Sequence, residues 1–202
     1  MNLEVENLEA ALNELKATHR KFGLPGSFAN RNNASLHFPA AVGKSKELEY
    51  LLNHYEPAGV KLETGFTPLK LWAVEGLERA QLGYGRIKDR EGWIDNPEWP
   101  EEYVVFADDV GGGKPVIAVI SQEGTPVYAA HGAGQAFPIA ASLADFLNAL
   151  SAMISVVYGE FEIFEIGDDD GLYPGFEQRF KEVVEPVLGA EYYEGFWDYF
   201  YG

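Results

Sequence analysis

The chain has 202 residues, 47% of them hydrophobic, no cysteine, and a formal net charge of −17 from 15 Lys and Arg against 32 Asp and Glu. That size and apolar content suffice for one well-filled core, and the missing cysteines exclude disulfides, thiolate metal sites and cysteine nucleophiles. The charge is lopsided: residues 1–100 carry 12 Lys and Arg against 14 Asp and Glu, a net of −2, whereas residues 101–202 carry 3 against 18, a net of −15. So acidic a half argues against nucleic acid and for a cationic protein partner, or for a solubility device. Met1 to Ala10 holds three glutamates and no unbroken apolar run, so neither a signal peptide nor a membrane span is expected, and the cytoplasm is the expected address.

In chain order, Leu3 to Phe22 places Leu3, Val5, Leu8, Ala11, Leu12 and Leu15 at helical spacing and predicts a helix stopped by Gly23, Pro25 and Gly26. Gly26 to Pro39 reads as a loop, with Asn30, Asn32 and Asn33 as turn residues. A second helix is expected from Lys44 to Tyr55, short strands at Val60 to Leu62 and Leu69 to Trp72, and a short helix from Val74 to Leu82 closed at Gly83. Asp89 to Pro100 reads as a loop. Tyr103 to Ala107, Val116 to Ile120 and Pro126 to Ala130 then form a three-stranded antiparallel meander with turns of hairpin length between them. Ser142 with Asp145 caps a helix carrying Phe146, Leu147, Leu150 and Ile154, and the tail from Phe161 to Gly202 adds a strand and two helices. The expected class is α+β: an antiparallel meander with helices packed around it, in a single domain spanning 1–202.

Three stretches in this order resemble the SUKH superfamily, the group of yeast Smi/Knr-type cell-wall regulators and many bacterial immunity proteins. The first is Phe38-Pro39 leading to Leu48-Glu-Tyr-Leu-Leu-Asn-His-Tyr55 and Pro57. The second is Phe66-Thr-Pro-Leu-Lys-Leu-Trp72 with Leu77 and Gly83-Tyr84. The third is Val104 to Asp108, Gly112-Gly113, Thr125-Pro-Val-Tyr128, His131-Gly132 and Ser142 to Leu147. The resemblance covers about 38–150, leaving a helix at 3–22 and an acidic extension at 155–202. It departs at Lys114, where members usually carry an acidic or amide residue after the glycine turn. It implies a non-catalytic, partner-binding domain, in bacteria typically one that neutralises a toxin. The alternatives are a cell-wall (glucan) synthesis scaffold and, further off, an enzyme with an unrecognised carboxylate site.

No motif supplies chemistry. Gly111-Gly-Gly-Lys114 lacks the first glycine of a phosphate loop and is followed by Pro115; His131-Gly-Ala-Gly134 opens no helix. Asp168, Asp170, Gly171 and Glu177 fall at calcium-loop spacing, but the first ligand position is Ile166, so a solvated loop or a partner contact is the better reading. His19, His37, His54 and His131 are scattered without metal-ligand spacing. We therefore expect no cofactor and no metal. The expected partner is a basic protein such as a toxin domain, a nuclease being one kind, bound by a monomer or homodimer. Trp93 and Trp99 are the candidate anchors, with Asp108, Asp109, Asp168, Asp169 and Asp170 as the acids around them. The competing account makes Trp93 and Trp99 a lid on the core. The terminal aromatic helix, with Glu191, Glu194 and Asp198 on one face, is expected to dock on its own domain.

Overall fold

A computed structural model describes residues 3–30, 38–132 and 134–202. Helix α1, Leu3–Lys21, buries Leu8, Ala11, Leu12 and Leu15 along one stripe and carries His19, Arg20 and Lys21 in its last turn, where cations suit the carbonyl end. Strand β1, Ser27–Ala29, pairs antiparallel with β2, Glu56–Ala58, so part of the stretch expected to be loop is strand. Three residues are too few for an alternation to show. Asn32, Asn33 and His37 lie outside the described residues.

Helix α2, Lys46–His54, starts at Ser45, whose hydroxyl accepts from the Leu48 amide at 3.1 Å. Next come β3, Lys61–Leu62, and β4, Leu69–Leu71, then a 3-10 turn at Val74–Gly76 running into α3, Leu77–Ala80. Strands β5, Arg86–Lys88, and β6, Trp93–Asp95, make an unexpected hairpin whose turn and second strand fall inside the Asp89 to Pro100 stretch expected to be loop. The meander follows as β7, Tyr103–Asp108, β8, Pro115–Val119, and β9, Val127–Ala129; an unexpected fourth strand, β10, Phe137–Ala140, extends it. Helix α4 is Leu143–Gly159, capped by Ser142, whose hydroxyl accepts from the Asp145 amide at 3.1 Å. A two-residue-armed hairpin, β11, Gly167–Asp168, and β12, Gly171–Leu172, precedes α5, Pro174–Leu188, and α6, Ala190–Tyr201.

The main sheet has six strands in the order β10-β9-β8-β7-β4-β3, all neighbours antiparallel, which makes the fold α+β. Strand alternation sends Val104, Phe106, Val116 and Ala118 to one face and Val105, Ile117 and Tyr128 to the other. The first face meets the helical layer, where Phe106 and Phe146 lie edge-on at 5.8 Å. The second is covered by Ala80, Tyr84 and Trp99. Beyond the end of β4, Gln81 completes the ladder: its Nε2 donates to Val105 O at 2.8 Å and its Oε1 accepts from Val105 N at 3.0 Å.

The acidic tail is built into the core. Helix α5 packs on α4 and α6 on β10, with Phe176, Phe180, Phe196 and Phe200 fully buried between them. The terminal helix thus docks on its own domain through Tyr193, Phe196, Tyr199, Phe200 and Tyr201. Gly195 allows the approach, because a Cβ there would collide with the Pro138 carbonyl of β10. Alanine for glycine within a helix ordinarily stabilises by about 1 kcal/mol. Gly195→Ala should instead lower the melting temperature, while Gly175→Ala, with open space around it, should hold or raise it. Thermal melts of the two variants check this pair.

Candidate functional site

The turn between β7 and β8 organises two of the nominated acids. Asp108 is buried; its Oδ2 accepts from Trp72 Nε1 at 2.8 Å and its Oδ1 from the Val110 amide at 3.0 Å. That placement corrects the expectation of a partner contact, since each oxygen is bonded inside the fold. Asp109 is half-buried, and its Oδ1 accepts from the Gly113 and Lys114 amides at 2.9 and 3.2 Å, so it holds the glycine turn in shape. Tyr84 closes this turn from the opposite side, donating to Gly112 O at 2.6 Å. Burial, then Asp109 and Asp108, push its phenol up to about 12.

The two tryptophans part company. Trp99 packs 5.7 Å from Tyr84 and edge-on to Tyr103 at 5.8 Å, and its Nε1 donates to Tyr103 O at 3.1 Å, so it lids the second face of the sheet. Beside it lies a cleft of about 360 Å³ lined by Gln81, Arg86, Asp95, Asn96 and Tyr103. Trp93 instead stands 46% exposed on β6 with Ile94 at 41% and, one turn away, Leu82 at 36%.

Lys114, the position that departs from the resemblance, has a physical reason here. Its Nζ donates to Thr67 Oγ1 at 3.1 Å and to Tyr199 O at 3.4 Å, placing a cation at the carbonyl end of α6. Arg179 is equally occupied: it grips Glu160 through Nε at 2.6 Å and Nη2 at 2.8 Å, holding that carboxyl below its ordinary value. Lys181 lies 4.0 Å from Glu185. All three cations of residues 101–202 are therefore engaged, and among the described residues no ion pair reaches Asp168, Asp169 or Asp170. Those three form the exposed turn of the β11–β12 hairpin, with Asp168 Oδ1 accepting from the Asp170 amide at 2.9 Å. Ile166, the first place of the calcium-like spacing, is buried. Among the described residues no group of three or more His, Asp or Glu could hold a metal ion, and no helix is long and apolar enough to cross a membrane.

Beside the acidic hairpin lies an aromatic face that sequence reasoning did not nominate. Phe66 is 60% exposed, Phe164 77% and Tyr173 42%. The Thr64–Thr67 turn and the 163–166 segment touch: a Cβ on Gly65 would collide with Ile163 O and sit 2.7 Å from Ile166 Cδ1, while the Tyr173 amide donates to Ile166 O at 2.9 Å. Phe66 follows a glycine and Phe164 sits among glutamates, so neither joins a periodic pattern. An apolar residue isolated in an acidic, turn-rich stretch was the available signal.

The model of the SMI1/KNR4 family (SUKH-1) matches residues 45–149, just over half of the chain. The match runs from the cap of α2 into α4 and omits α1, α5 and α6. No curated protein and no solved structure matches the chain.

Two measurements check this geometry. Trp99→Ala should cost about 2–4 kcal/mol of unfolding free energy, the range for a large side chain removed from a packed site, and Trp93→Ala no more than about 0.5 kcal/mol. The unfolded chain releases a tyrosine proton near pH 10.0 and folded Tyr84 only near 12, so its neutral form is favoured by folding. Stability should then be full below the unfolded value and fall as pH rises between the two. Tyr84→Phe should lessen that alkaline fall in a denaturant titration, with Tyr193, Tyr199 and Tyr201, whose phenols burial also raises, keeping the remainder.

Proposed function

The chain belongs to the SMI1/KNR4 family (SUKH-1), and on that premise we propose that it is an immunity-type protein that captures and neutralises a basic toxin domain, with no chemistry of its own. Membership places it among immunity-type and cell-wall-regulator domains generally. The observation that carries the choice between them is the fate of the charge in residues 101–202. Most aromatic residues of that half are buried, its three cations are engaged locally, and among the described residues no ion pair reaches the solvent-facing carboxylates of the β11–β12 hairpin. Such a surface accelerates encounter with a basic protein and rejects an acidic one.

The capture experiment looks in the neighbouring reading frames for a long protein ending in a small basic domain, the partner expected on this reading, and co-expresses that domain with this chain. Growth should recover, and the two chains should purify together. A basic domain that still kills, with no complex formed, would contradict the proposal. In the complex, association should slow as salt rises past about 0.15 M, where the Debye length is about 8 Å, while dissociation changes less. Asp168, Asp169 and Asp170 changed together to Asn should lower the association rate and its salt dependence. Surface plasmon resonance at stepped ionic strength reads both.

A further inference from the structure

The face formed by Phe66, Phe164 and Tyr173 leaves three aromatic side chains largely in water. Isolated exposed apolar residues are common on any surface, but three aromatics on touching segments beside an exposed acidic hairpin have the anatomy of an interface: apolar centre, polar rim. We propose that this face is where a basic protein partner docks, inserting an aliphatic or aromatic side chain between its own lysines or arginines; the proposal rests on the basic-partner reading above and locates it.

Charge selects the occupant. The rim is made of Glu162, Glu165 and Asp168 to Asp170, without a cation among them. A second copy of this chain, at −17, would bring the same acids against themselves, so self-association through this face is opposed and a cationic partner is favoured. The geometry is also held in place. Tyr201 donates from its hydroxyl to Thr64 O at 3.0 Å, Thr64 Oγ1 donates to Thr67 O at 2.7 Å, and the Thr67 amide donates to Phe200 O at 3.3 Å. Phe66 therefore rides on a turn braced by α6, and Phe164 and Tyr173 flank the buried Ile166. A braced aromatic loses little freedom on binding, the property of an energetic anchor. The Thr64–Thr67 turn lies inside the family match and the 162–173 segment outside it, so the face joins a turn of the matched region to the extension that follows it.

The test is a nitrogen-15 NMR titration of the full chain with three synthetic peptides of equal length: lysine–leucine, lysine–serine and glutamate–leucine. The lysine–leucine peptide should bind most tightly and shift the amides of residues 64–66 and 162–173. The double variant Phe66→Ser, Phe164→Ser, exposed positions whose change leaves the core intact, should weaken it about tenfold or more at an unchanged melting temperature. Asp168, Asp169 and Asp170 all changed to Asn, which keeps the acceptor for the Asp170 amide, should weaken both lysine peptides together. Equal binding of the lysine–leucine and lysine–serine peptides would overturn the aromatic docking face and leave the basic-partner reading standing. So would shifts confined to Leu82, Trp93 and Ile94. Preference for the glutamate–leucine peptide would overturn both. A dimer that forms at rising concentration and is abolished by the Phe66, Phe164 variant would assign the face to a second copy and overturn the proposal.

Discussion

The aromatic cluster between α4, α5 and α6 is the interaction on which the rest depends. Phe176 and Phe180 lie 5.7 Å apart, Phe180 stacks on Phe196 at 6.4 Å, Phe196 meets Phe200 at 4.8 Å, and Phe146 brings in α4 at 6.2 Å. It has to outweigh the repulsion within residues 101–202, which carry 15 excess negative charges. It does so because the two effects have different reach. Each fully buried phenylalanine contributes about 2–3 kcal/mol, whereas exposed carboxylates separated by more than about 8 Å are largely screened at physiological salt. The acids can therefore be numerous without unfolding the layer beneath them.

The same cluster sets the loops. Docking α6 brings its last carbonyls to the Thr67 amide at 3.3 Å and the Lys114 ammonium at 3.4 Å, and the Tyr199 hydroxyl returns a bond to Lys114 O at 2.8 Å. One helix end thus braces the Thr64–Thr67 turn and the glycine turn after β7. A family core that ends within α4 is completed here by helices whose ends touch two of its turns, and the acidic hairpin sits on the link between them. On the opposite face of the sheet, Trp99 and Tyr84 perform the equivalent closure over Val105 and Ile117.

Where the sequence carried a long period or a cap, it was readable. Leu8, Ala11, Leu12 and Leu15 located α1, Ser142 with Asp145 located the start of α4, and the β-rich runs from Tyr103 to Ala130 located the meander. The elements that escaped are two to four residues long, although β3, β4 and β9, equally short, were anticipated. Strands β1, β5, β6 and β10 are too short to display alternation and exist because a partner strand is delivered to them by the fold. Site residues divide in the same way. Asp168 to Asp170 were legible as exposed acids between turn residues, but the burial of Asp108 depends on Trp72, 36 positions earlier, which no local pattern links to it. The turns that carry Phe66 and Phe164 lie nearly a hundred residues apart in sequence and touch where Gly65 meets Ile163 and Ile166, a contact with no local sequence signature.

If the acidic C-terminal layer is a docked part of the fold that presents the proposed partner-binding face, hydrogen exchange of the full chain, free and bound to the basic protein proposed as its partner, should show strong protection of the core amides of α5 and α6 in the free chain, with binding adding protection at residues 64–66 and 162–173. Rapid exchange through α5 and α6 in the free chain, or binding-induced protection confined to the β5–β6 hairpin, would contradict it.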